Sequence, residues 1–170
     1  MNVSPIEIYK DEARANNPKL KKGDRAYIIS ISYGGRGTGD PERYNGHVLA
    51  HEVEIQSYGK KQGTAVDVNN GQYTKTQISV GWDIIRRTWE DVEALVAELT
   101  PLMIAEGEES ISEDIASCEK WAIDYAVEGS PKGHKLNRES LAKLATAKVT
   151  GPVLETYTEL VERVQRSVSS

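Results

Sequence analysis

His47 and His51 are the residues whose type and spacing come nearest to metal chemistry. On a helix, positions i and i+4 would share a face one turn apart, close enough to hold one ion. The segment "HVLAHEVEIQS" alternates instead: His47, Leu49, His51, Val53 and Ile55 fall on one face, and Val48, Ala50, Glu52, Glu54 and Gln56 on a more polar one. Four strand steps of about 3.3 Å set the two imidazoles roughly 13 Å apart, so no single ion joins them. Glu52 points the other way, and "HVLAHE" lacks the zinc-protease order. Ordinary strand histidines and no metal are expected; His134 lies far along the chain.

Nucleophiles are scarce. Cys118, the one cysteine of 170 residues, sits in the apolar helical stripe Ile115, Cys118, Ala122 and Tyr125, where a buried thiol is the commoner outcome. A lone cysteine excludes an intramolecular disulfide and a cysteine-rich zinc site. No serine stands in a nucleophile-elbow sequence. The acid pairs Glu108-Glu109 and Glu113-Asp114 stand at an expected helix entrance, where they favour the helix dipole. No catalytic residue and no cofactor are expected.

The loop "GGRGTGDPERYNG", residues 34–46, has the glycine content of a phosphate cradle. Such a cradle opens into a helix whose first N–H groups point at the anion. This loop runs into another strand, so its glycines serve a long hairpin. Its tip offers Arg36, with Tyr33 and Tyr44 at the base, as a contact for protein or single-stranded nucleic acid. In "WDIIRRTWED", Trp82 and Trp89 bracket Arg86 and Arg87. The tryptophans are expected to cement two parts of the molecule. Adjacent arginines do not both face a core, so Arg86 and Arg87 join Tyr58, Lys60 and Lys61 as one basic, aromatic-flanked surface.

The elements that carry these residues read in order. In "SPIEIYKDEARANNP", Ser4 caps a helix, Pro5 suits its first position, Glu7 its capping box, and Asn17-Pro18 ends it. Strands follow at "RAYIISISY", "HVLAHEVEIQS", "TAVDV" and "QYTKTQISV", with Gly23-Asp24, "GKKQG" and Asn69-Asn70-Gly71 as turns. An antiparallel meander curling into a small barrel is expected. From Thr88 the pattern is helical: Val92, Leu95, Val96 and Leu99 form a stripe, and Thr100-Pro101 breaks it. A short continuation ends at Gly107, Ser112 caps a helix closed by Gly129, and Asn137 caps one holding Leu141 and Leu144. After Gly151-Pro152, Leu154, Tyr157, Val161, Val164 and Val168 form a narrow 3-4-3-4 seam suited to docking on neighbours or to self-association. The fold class is α+β: an N-terminal helix (1–18), a small antiparallel β-barrel (19–87) and a helical segment of three to four helices packed on it (88–170).

"GDRAYIISISYGG", "HEVEIQSYGKKQGTAVDV" and "NNGQYTKTQI" resemble the small β-barrels of the KOW and Src-homology type, in particular the compact barrel of many short bacteriophage proteins. The hairpin would be Val53-Glu54-Ile55 to Gly59-Lys60-Lys61, with Gln62 in place of the usual aromatic. The resemblance covers residues 20–80. It implies binding rather than catalysis, and a phage origin.

Charge narrows the partner. Residues 1–90 carry 13 Lys and Arg against 11 Asp and Glu, and residues 91–170 carry 8 against 15, for a net of −5. A duplex-binding domain shows a dominant basic field, which is missing. No apolar run approaches the roughly 20 residues of a membrane span, and the acidic N-terminus argues against a signal peptide. The expectation is a cytoplasmic, non-catalytic binding protein that engages a protein partner and, in the phage setting, inhibits host machinery. A nucleic-acid-binding module and a virion or assembly subunit are the alternatives.

Overall fold

The computed structural model describes residues 3–33, 44–68, 75–128 and 142–169. The glycine-rich tip with Arg36, the Asn69-Asn70-Gly71 turn, Gly129, Asn137, Leu141 and the side chains of Cys118, Ala122 and Tyr125 lie outside that set. Helix α1 spans Pro5–Ala15, β1 Arg25–Ser32, β2 His47–Tyr58, β3 Gln62–Asp67, β4 Lys75–Ser79 and β5 Ile84–Arg86. Helix α2 spans Trp89–Glu128, β6 Val153–Thr156 and α3 Tyr157–Ser169. A helical turn covers 142–145. This is an α+β protein.

The sheet order is β4-β3-β2-β1-β5, with β6 also on β2. Ile55 exchanges backbone bonds with Gly23 and Asp24, fixing where β1 starts along β2. In β3, Ala65 stands opposite Ile55 and, on its other side, Thr76. Among the described residues no pairing joins β4 to β5, so the expected barrel is an open sheet.

That sheet is nevertheless curled. Five strands laid flat at about 4.8 Å spacing would hold β4 and β5 about 19 Å apart. Yet only four residues separate them, and a tight turn draws them together. Asp83 N–H donates to the Ser79 carbonyl at 2.8 Å, and the Asp83 carboxylate accepts from Ser79 N–H at 2.8 Å. Inside the curl, Ala26, Val53, Ile55, Ala65, Ile78 and Ile85 join Leu20 in one core, so each of the five strands contributes. Full burial of an isoleucine such as Ile55, Ile78 or Ile85 supplies about 1.5–3 kcal/mol.

Curling also changes which face is buried along each strand. On β2 the buried residues are Val48 and Ala50 first, then Val53 and Ile55, which have opposite parity. On β1 they are Ala26, then Ile29 and Ile31. The face of β2 expected to be polar is therefore polar only from Glu52 onward.

Helix α1 forms as its sequence directs: the Ser4 hydroxyl accepts from Ile6 N–H at 3.3 Å, and Asn16 ends the helix. It packs along β5. Its Tyr9 hydroxyl donates to Glu98 at 2.8 Å; burial and that carboxylate both push the Tyr9 phenol up. Thr88 caps α2 through a bond from Asp91 N–H, and Val92, Leu95 and Leu99 are buried.

Helix α2 then departs from expectation. It runs 40 residues, through Pro101 and Gly107, without the expected breaks. Gly107 is not a stop: a Cβ there would strike the Tyr44 carbonyl and the Val149 side chain, so glycine permits a close approach. Ser112 is no cap; its hydroxyl donates to the Glu108 carbonyl one turn back at 3.1 Å. Leu154, expected in the last helix, lies in β6.

Contacts divide the chain into two compact units. One comprises Met1–Ile31, His47–Leu99 and Leu154–Ser170; the other comprises Ser32–Gly46 and Thr100–Val153. The second has its own small core of Tyr44, Ile111 and Leu144, flanked by Ile115, Ala147 and Val149.

Candidate functional site: a basic cleft beside the β2–β3 turn

Three segments of the first unit meet around a cleft of about 460 Å³. Arg14, Asn17, Pro18, Lys19 and Leu20 come from the end of α1 and the chain after it. Tyr58, Gly59 and Lys60 come from the β2–β3 turn, and Val80 from the turn after β4. None of these nine residues is acidic.

Local bonding explains why the segments converge. The hairpin closes with Gly59 N–H on the Gln62 carbonyl at 2.9 Å, and Val80 N–H on the Lys61 carbonyl at 3.0 Å brings the β4 end beside it. Asn17 holds the third segment. Its amide oxygen accepts from Ile85 N–H at 2.9 Å, and its amide nitrogen donates to the Asp83 carbonyl at 2.7 Å. A side chain thereby seals the outer edge of β5. Gly23, at φ +91°, makes the turn that returns the chain into β1, with Asp24 N–H on the Lys21 carbonyl.

The floor is apolar and the rim cationic. Leu20 is buried, while Tyr58 and Val80 pack against the sheet core. Burial pushes the Tyr58 phenol up, so it stays a neutral hydroxyl near neutral pH. Lys19, Lys60 and Lys61 are exposed, and none of the three ammonium groups has an ion pair or hydrogen bond among the described residues. Lys61 does not line the cleft itself.

The arginines behave differently. Arg14 donates to Asp11 at 2.7 Å and to the Trp82 carbonyl at 2.6 Å, and its guanidinium lies 4.9 Å from the Trp82 ring centre. Arg86, expected at the surface, is half-buried and donates to the carbonyls of Ala13 and Ile85 and to the Asn17 side chain. It locks α1 to β5. Arg87 stands on the Lys19 carbonyl and 3.6 Å from Asp24.

The aromatic expectations divide likewise. Trp89 is cement, meeting Tyr27 edge-on at 5.6 Å. Trp82 is 70% exposed and caps Arg14, so it is not buried cement. Tyr33 is half-buried. Tyr44 is 2% exposed, and its hydroxyl is taken by Asp114. Of the surface read from sequence, Tyr58 and Lys60 are brought together here, with Lys61 adjoining. Arg14, Pro18 and Lys19 were missed; the run "KLKK" before Gly23 was the available signal.

The far end of β2 carries two His–carboxylate pairs. His51 Nε2 lies 2.7 Å from Asp67 and its ring 4.3 Å from that of Tyr157; His47 Nε2 lies 2.8 Å from Glu155. Arg163 also donates to Glu155, at 3.0 Å, and holds its carboxyl below the usual glutamate value; burial opposes this and His47 assists. Among the described residues no three His, Cys, Asp or Glu side chains group as metal ligands. No helix is long and apolar enough to cross a membrane.

No family model, curated protein or solved structure matches this chain.

Proposed function

We propose that this protein is a non-catalytic binding module that engages a protein partner through the cleft between the α1 end and the β2–β3 turn. One observation carries the reading: three exposed lysines whose ammonium groups have no partner among the described residues, two of them on the rim of an apolar-floored cleft with no acid in its described lining. Such solvated cations around an acid-free apolar floor give the cleft a local positive potential, which favours an anionic partner. The curled five-strand order, bridged at its ends by the Ser79–Asp83 turn, supports a small-barrel scaffold of the kind the sequence resembles.

Selection of peptides from a random display library against the full chain tests this. Selected peptides should lose at least about tenfold in affinity, roughly 1.4 kcal/mol, on Lys60→Glu/Lys61→Glu. Peptides that bind that variant equally well would place recognition elsewhere.

A second reading, a nucleic-acid-binding module, draws on the exposed Trp82, whose ring lies against Arg14 of the cleft lining. It requires affinity for single strands that falls steeply with added salt.

A further inference from the structure

We infer that the cleft takes an acidic peptide segment, one apolar side chain lodged on Tyr58, Leu20 and Val80 with carboxylates meeting Lys19 and Lys60. This rests on the protein-binding reading above and specifies its ligand. Two features of the site select carboxylates over phosphodiesters. Phosphate recognition favours the fork of a free guanidinium, and here the arginine of the described lining, Arg14, is committed, as are Arg86 and Arg87. Arg14 is held by Asp11 and the Trp82 carbonyl, Arg86 by carbonyls of α1 and β5, and Arg87 by Asp24 and the Lys19 carbonyl. The cations without partners among the described residues are ammonium groups, point charges that can meet a carboxylate but lack the planar fork of bidentate phosphate recognition.

The floor makes the second selection. A nucleic-acid strand needs exposed ring faces on which successive bases stack. Tyr58 instead packs against the sheet core, and Leu20 and Val80 are aliphatic. Such a floor accommodates one aliphatic or aromatic side chain, not a stack. The charge balance agrees: the lining holds Arg14, Lys19 and Lys60 and no carboxylate, in a chain of net charge −5. An acidic segment therefore meets attraction at the cleft and repulsion from the molecule at large, which restricts it to this one place.

Fluorescence anisotropy on the full chain tests the inference. The probes are a labelled peptide alternating glutamate and leucine, its glutamine-for-glutamate counterpart and a short oligothymidine. The acidic peptide should bind, its glutamine counterpart at least about tenfold more weakly, and Lys19→Glu/Lys60→Glu should remove the difference. These lysines are exposed and their ammonium groups have no partner among the described residues, so the melting temperature should stay unchanged and a loss of binding reports on the site. Equal binding of the glutamine peptide, still lost in the lysine variant, would overturn the acidic ligand and leave the protein-binding reading standing. Oligothymidine binding tighter than the peptide, with the same lysine dependence, would replace both by the nucleic-acid reading. Acidic-peptide binding indifferent to the lysine variant would sink both. So would self-association of the chain that the peptide competes away, because the occupant would then be a second copy.

Discussion

The two ends of β2 treat charge in opposite ways. At the His47 end both histidines and both buried carboxylates are paired: Glu155 takes His47 and Arg163, and Asp67 takes His51. At the Tyr58 end, Lys60 and Lys61 are exposed and their ammonium groups have no partner among the described residues. Both ends belong to one strand of 12 residues and one compact unit. Burial accounts for the contrast. The Asp67 side chain is 3% exposed and Glu155 11%, and carboxylates that far from water must be compensated within the fold. Exposed ammonium groups carry no such requirement, so their arrangement is free to serve a partner. One end is paired within the fold; the other is the end proposed above for recognition.

The contrast breaks most visibly at Asp67. Asp67→Ala leaves His51 without its carboxylate in a largely buried place and should cost about 2–3 kcal/mol, read from the urea midpoint. A loss below about 0.5 kcal/mol, the range of neutral surface changes, would make the paired end no more structural than the open one.

Glu155→Gln should cost about 1 kcal/mol near neutral pH, a smaller amount because Arg163 is well exposed. Its pH dependence sharpens the point. The folded-state pKa lies below the ordinary glutamate value of 4.5, so the stabilisation is fully present above that value. It is lost as the pH falls through the lower folded value. The stability gap between wild type and variant should thus be constant at neutral pH and close in acid; a gap that widened in acid would reverse the sign assigned here.

Lys60→Glu/Lys61→Glu has the smallest expected effect on folding, within about 0.5 kcal/mol in the same urea experiment. A larger loss would show that these lysines are paired in solution, and the two ends would no longer differ.

The sequence made some of this legible. Alternation in "RAYIISIS" and "HVLAHEVEIQS", and Ser4-Pro5 ahead of α1, announce elements long enough to show a period. Strand β5 is three residues long, and its strand character comes from pairing Ile84, Ile85 and Arg86 with Ile29, Ile28 and Tyr27 of β1. Leu154 fitted a helical seam because 3-4 spacing says nothing of a four-residue strand directly before the helix. Pro101 read as a break, but α2 continues through it, with Leu99 and Met103 buried on either side. At the cleft, the glycine–lysine turn marked Tyr58 and Lys60. Lys19 and Arg14 arrive through Asn17, which reaches across 68 residues to Ile85, and no local pattern encodes that bond. Arg86 was read as exposed because its neighbour is also arginine; the fold separates the two, one inward to α1 and one outward.

The most direct measurement is an amide map of the full chain, ¹⁵N-labelled, titrated with the glutamate–leucine peptide. The account predicts shifts at Leu20, Gly59, Lys60 and Val80 and none at His47 or His51. Shifts centred on His47 and His51, with the Tyr58 turn silent, would contradict it.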